Sequence, residues 1–308
     1  MESLAIPFLL FVGTLLALQA AANVQLSTAT GSAFGASTLQ LGIGAALLLG
    51  AGAVGGVLGA FELLDEAHAW HLLGGLGSAL YITSGILLFP RLGAVVTVGM
   101  WIAGQMLASL ALDGFGWLGV ERDSPGIAQA IGAAAVVAGA ALIVSAQAGG
   151  AALGSAVRER TGWLALAVAA GAALPVQGAV NAQLRADLDA PIAAAAFSFL
   201  VATLGMGVLL AGSLVLRAPR PRLRPLRTVP WWGWLGGLCG AVYVTSVFLL
   251  IPEIGAAPTI ALTVAGQQVA SVFVDRFGLL RLPRRPVGAP RLVAVALLIA
   301  GVALIDLA

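Results

Sequence analysis

The sequence predicts an all-α membrane protein with ten transmembrane helices, arranged as two inverted five-helix repeats. Three observations carry that prediction. Of 308 residues, 60% are hydrophobic and 9% charged, and the mean hydropathy of +1.03 lies far above that of a water-soluble domain. The charges gather in short gaps between apolar runs, each long enough to cross about 30 Å of hydrocarbon at 1.5 Å per residue. Finally, the stretch 81–116 recurs, without a gap, at 243–278.

The recurrence is the most informative of the three. YITSGILLFPRLGAVVTVGMWIAGQMLASLALDGFG and YVTSVFLLIPEIGAAPTIALTVAGQQVASVFVDRFG agree at about half their positions, as one duplicated unit would. Apolar residues drift freely among Ala, Leu, Val and Ile in lipid, whereas a polar group there is costly without a partner or a task. The polar matches therefore weigh most: Tyr81 with Tyr243, Thr83 with Thr245, Ser84 with Ser246, Gln105 with Gln267 and Asp113 with Asp275. The first span repeats as well, LQAAANVQL at 18–26 against VQGAVNAQL at 176–184. That match, and the lack of a basic residue ahead of the run, argue for a membrane span over a removable leader.

In chain order the spans fall at roughly 4–23, 34–60, 70–89, 92–112 and 126–147, then 162–182, 191–216, 231–251, 254–274 and 290–306. The runs are continuously apolar rather than alternating, so helices and not a barrel are implied. Residues 1–150 form the first repeat and 151–308 the second. Five spans per unit, joined head to tail, must make the units cross the membrane in opposite senses.

Charge tests that orientation independently. The gap after span two, FELLDEAHAWH, has three acids and no arginine, while its counterpart after span seven, RAPRPRLRPLRTVPWW, has five arginines. The gap after span four is mostly acidic, and its counterpart carries Arg276, Arg281, Arg284 and Arg285. Arginine favours the cytoplasmic side, so the gaps after spans seven and nine lie inside and both termini outside. The basic loop is suited to anionic lipid headgroups, and no nucleic-acid partner is expected. Pro90 with Gly93, and Pro252 with Gly255, predict a tight hairpin in each half, with proline ending the helix.

Candidate binding residues are the polar ones placed on shared helix faces in both halves. They are Gln19, Asn23, Tyr81, Ser84 and Gln105, matched by Gln177, Asn181, Tyr243, Ser246 and Gln267. Such groups can join helices through hydrogen bonds worth about 1 kcal/mol each, or line a cavity between repeats, where secondary transporters hold substrate. Large amides recurring in both halves favour the cavity. No charged residue sits at the centre of a span; Asp113 and Asp275, at the ends of spans four and nine, are the nearest candidates for coupling to protons. No nucleophile with a base, phosphate loop or redox motif is present, so no enzyme, catalytic residue or cofactor is expected. His68 and His71 share a loop with Glu62, Asp65 and Glu66, but the spacing matches no familiar ligand set and no metal is expected.

The motifs LQAAxNxQL, GGxxxAxYxTSxxLLxPxxG and AGQxxASxxxDxFG resemble the YdcZ-like five-helix family of the drug/metabolite transporter superfamily, in its fused, duplicated form. The resemblance implies a ten-helix inverted-repeat fold, with four helices of each half around a substrate pathway and the fifth outside. It also implies placement in the bacterial cytoplasmic (inner) membrane. Small multidrug resistance proteins, related by the same resemblance, rely on a glutamate in the first helix; Gln19 and Asn23 stand here instead. The expected function is secondary transport, by alternating access, of a small polar solute that is neutral or zwitterionic. A proton-coupled drug or metabolite exporter is the alternative, followed by a passive channel or structural membrane subunit. The expected partners are a small-molecule substrate and membrane lipid, and the fused pair can act as a monomer or form a homodimer.

Overall fold

A computed structural model describes residues 2–122, 126–147, 153–281, 284 and 288–306. These residues form ten α-helices: α1 Glu2–Thr30, α2 Ala33–Val54, α3 Gly75–Leu92, α4 Ala94–Phe115, α5 Ile127–Gln147, α6 Leu153–Leu188, α7 Pro191–Val215, α8 Gly236–Ile254, α9 Ala256–Phe277 and α10 Ala289–Asp306. Eight of the described helices, α1 to α4 and α6 to α9, hold stretches long and apolar enough to cross a membrane; α5 contributes a shorter apolar stretch, Ile127–Gly139. The expected boundary between repeats, at residue 150, lies outside the described residues.

Helix ends follow backbone chemistry rather than the edge of the apolar run. Helix α1 continues through the polar NVQLSTAT to Thr30 and stops at Gly31, whose φ of 67° suits a residue without a Cβ. Ser32 then caps α2, its side chain accepting the Gly35 N–H. The equivalent turn after α6 places Asp189 at φ 45°, a conformation aspartate tolerates better than most residues, and Pro191 opens α7. Helix α2 ends earlier than expected, at Val54. Gly55 and Gly56 break it, and the 3-10 turn Leu58–Asp65 folds Phe61 edge-on against Phe197 of α7, with centroids 6.2 Å apart.

The hairpins differ from expectation in one respect. Pro90 and Pro252 do not end their helices, which run on to Leu92 and Ile254. A proline in the last turn forfeits a single i to i−4 bond, so the helix survives it. Reversal happens at Gly93 and Gly255, with φ of 82° and 87° and ψ of 163° in both.

The helices pack in matched pairs. Helix α2 lies on α7 and α5 on α10; α1 lies on α9 as α4 lies on α6, and α8 on α1 as α3 on α6. Along α2, Gly42, Gly44 and Gly52 meet Thr203, Phe199 and Ile192 of α7 in turn, so these two helices run antiparallel. The closest crossings are backbone on backbone. A methyl group on Gly13 would overlap the carbonyl of Thr263, and one on Gly266 the carbonyl of Leu10; Gly104 and Gly171 stand in the same relation to Val168 and Trp101. Small residues permit this approach, from which helix association in lipid draws its dispersion energy.

Candidate functional site

Where α1, α3, α4, α6, α8 and α9 converge, the core is polar at its centre. All ten expected binding residues are buried there: Gln19, Asn23, Tyr81, Ser84, Gln105, Gln177, Asn181, Tyr243, Ser246 and Gln267. Their burial is local to faces turned inward, because neighbours such as Leu18, Leu80 and Leu238 are exposed on the opposite sides.

A chain of hydrogen bonds crosses the seam between halves. Gln105 Nε2 of α4 donates to Gln267 Oε1 of α9 at 3.4 Å, and Gln267 Nε2 donates to the Tyr81 hydroxyl of α3 at 2.6 Å. Tyr81 is held from behind by Trp101, ring centroids 4.2 Å apart, and the Trp101 indole donates to Ser84 Oγ at 3.2 Å. Ser84 in turn donates to the Tyr81 carbonyl at 2.7 Å. Gln177 of α6 exchanges hydrogen bonds with Ser78 of α3 at 2.8 and 2.9 Å.

The second half lacks several of these contacts. Thr263 stands where Trp101 would be and bonds its own Ile260 carbonyl. Gly240 stands where Ser78 would be, directly against the Gln19 amide nitrogen. The Tyr243 hydroxyl lies beside Thr263, yet the two do not reach hydrogen-bonding geometry. Ser246 is buried in the same region.

Many polar atoms here have no partner. Among the described residues these include Asn23 Oδ1, Gln105 Oε1, the Tyr243 hydroxyl, and both side-chain polar atoms of Gln40, Asn181 and Gln268. Each costs about 1–3 kcal/mol when left dry, so a site that collects them is one for water or a ligand to complete. Two cavities of about 10 Å³ lie among them, each with room for about one water molecule. Both are lined by Gln19, Tyr81 and Ile82.

A wider vestibule of about 720 Å³ opens where α4 ends and the hairpin between α8 and α9 turns. Asp113, Glu121, Arg122, Gln183 and Glu253 line it. Ile251, also in its wall, packs on Gly178, the residue after Gln177. Asp113 lies in the vestibule wall and lines neither of the two central cavities. Its carboxylate accepts the Ala256 N–H at 3.3 Å and the Ala257 N–H at 2.7 Å, capping the start of α9 across the halves. The side chain of Asp275 lies outside the described residues. In the loop before α3, the His71 imidazole pairs with the Asp187 carboxylate at the end of α6.

Sequence reasoning missed Ser78, which holds Gln177, and left Trp101 out of the site although it stands one helical turn before Gln105. A search for residues recurring in both halves passes over positions where the halves differ, and Ser78 and Trp101 are two of these. Helical spacing could have found Ser78, one turn before Tyr81 and Ile82 on the inward face.

The family model described as "Putative inner membrane exporter, YdcZ" matches this chain twice, at residues 4–142 and 162–304. The chain belongs to this family. Two successive matches agree with a tandem duplication, and they place this YdcZ-family protein in the inner membrane as an integral membrane transporter. That is not an enzyme class. No curated protein matches the chain. A solved structure described only as "Crystal structure of protein" is 21% identical, with a TM-score of 0.62, over 98% of this chain and 97% of its own; that likeness shows a shared fold.

Proposed function

We propose that this YdcZ-family protein is a secondary transporter that moves a small polar solute, neutral or zwitterionic, by alternating access. In this reading ten helices cross the membrane as inverted units, 1–150 and 151–308, with both termini outside. The antiparallel run of α2 against α7, its counterpart, supports the inversion, as do the reciprocal packing pairs. Helices α5 and α10, packed on each other, would flank the pathway.

The observation that carries the reading is the Gln105, Gln267 and Tyr81 chain, which joins the halves through uncharged groups at a buried seam. Amides and phenols can exchange partners with a solute as the halves rock, at a cost far below that of desolvating an ion. Substrate would be met by Gln19, Asn23, Tyr81, Ser84 and Gln105 from one half and by Gln177, Asn181, Tyr243, Ser246 and Gln267 from the other. Proteoliposomes screened with labelled amines, amino acids, sugars and organic acids should show saturable uptake that Gln105→Ala or Gln267→Ala reduces. Undiminished transport in both variants would sink the site; linear, unsaturable flux would point to a channel.

A second reading has an observation of its own. Asp113 lines the vestibule and ties α4 to α9, so protonation there could free the hairpin and couple export to protons, with Asp275 as its counterpart. Transport that ignores a pH gradient, or persists in the Asp113→Asn and Asp275→Asn double variant, removes this reading.

A further inference from the structure

Resting on the transport reading, we propose that the solute is held off-centre, by Gln19 and Tyr243, while the mirror residues Gln177 and Tyr81 chiefly form the wall; Asn23 and Asn181 both carry unpartnered polar atoms and are open in either half. The halves differ in how far their own contacts complete them. Gln177 is closed by two hydrogen bonds to Ser78, and Tyr81 is closed by Gln267 and braced by Trp101. Gln19 is 3% exposed and faces Gly240, which offers it no hydroxyl like the one Ser78 gives Gln177. It lines both central cavities, whereas Gln177 lines neither.

The open groups also define the chemistry of the ligand. Asn23 Oδ1 and Gln105 Oε1 are buried acceptors without donors, and Asn181 Nδ2 is a buried donor without an acceptor, so the solute must supply N–H or O–H groups and an acceptor beside them. The Tyr81 and Trp101 rings, tilted against each other, offer an apolar face beside Gln19. No carboxylate lines either cavity, which disfavours a bare cation. The fitting class is a small solute of no net charge that carries hydrogen-bond donors, such as a primary amide or an amino acid. Each cavity has room for only about one water molecule, so such a solute enters as α1 and α3 part.

The test exploits the asymmetry. Gly240→Ser gives Gln19 the hydroxyl that Ser78 gives Gln177, and Ser78→Gly removes it from the mirror position. Probes are acetamide, glycine and serine, with N,N-dimethylacetamide and glycine betaine as counterparts without N–H donors. Binding is read as a thermal shift of the detergent-solubilised full chain and transport as uptake into proteoliposomes. At least one donor-bearing probe should shift the wild-type and Ser78→Gly proteins, with tenfold or greater loss of apparent affinity in Gly240→Ser and Gln19→Ala. Its donor-free counterpart should shift none of them. Without ligand, Gly240→Ser should melt higher than Gly240→Ala, because only serine bonds Gln19; the reverse order overturns the inference. Saturable uptake with equal losses at the two mirror sites overturns the inference and leaves the transport reading standing. Wild-type protein that neither shifts nor transports any probe overturns both for this class of solute.

Discussion

The first half of the chain and the second share a scaffold but not a set of contacts. Gly13 meets α9 as Gly171 meets α4, and Gly93 turns one hairpin as Gly255 turns the other. At the seam, by contrast, Ser78 and Trp101 of the first half face Gly240 and Thr263 at the corresponding places of the second. Backbone crossings tolerate no added atom, so duplication preserves them in pairs. Side chains around a cavity tolerate change, and there the two copies have diverged.

The largest expected effects test the shared part. Gly13→Val and Gly171→Val each drive a branched side chain into a facing carbonyl, and each should lower stability by about 3 kcal/mol or more, beyond ordinary overpacking of 1–3 kcal/mol. The melting temperature of solubilised protein should fall alike in both. Gly207→Val, where nothing lies within 4 Å of an added Cβ, should leave it near wild type. A tolerant Gly13 beside an intolerant Gly171 would break the equivalence of the halves.

Next comes the seam itself. Gln267 holds two partners, Gln105 and Tyr81, while Gln105 holds one. Gln267→Ala strands a buried phenol and should cost about 1–3 kcal/mol, against about 1 kcal/mol for Gln105→Ala. Uptake assays should rank them the same way, by about tenfold and a few-fold. Equal effects would mean that the mirror amides are interchangeable and that the site is symmetric after all.

A smaller effect is expected at Asp113, whose carboxylate caps α9. Asp113→Ala should cost about 1 kcal/mol, as helix caps do, and Asp113→Asn less, since one amide oxygen can still accept. Asp275→Ala extends the comparison to the equivalent position of α9; a matching loss there would show that both aspartates act as caps.

What could be read from residues alone follows the same division. The helical class, eight of the expected membrane spans and the buried polar faces were legible, because each rests on a pattern that repeats along the chain. Helix ends were less legible. The polar tail of α1 and the last turns past Pro90 and Pro252 stay helical for reasons of backbone bonding that hydropathy does not register. The contacts of Gln177 with Ser78 and of Asp113 with Ala257 depend on how helices meet, and spacing within one helix does not encode that.

The smallest effect concerns a contact that only one half possesses. The guanidinium of Arg91, at the α3–α4 turn, lies 4.3 Å from the ring centroid of Trp163 on α6, and it also donates to the Leu87 carbonyl at 2.6 Å. The corresponding residues in the mirror arrangement are Glu253 and Ala5, which form no such pair. A cation over an indole at an exposed position contributes about 0.5–1 kcal/mol, so Trp163→Leu should lower the melting temperature slightly, and Arg91→Gln by a similar amount. Because both substitutions remove the same contact, the double variant should lose little more than either single one; fully additive losses would show that the residues act separately. Glu253 lines the vestibule instead of clamping a neighbouring helix. Removing the clamp should therefore loosen the hairpin opposite the vestibule and bring the freedom of the two turns closer together. Amide exchange at residues 91–97 should rise in Trp163→Leu while that at residues 253–259 stays unchanged.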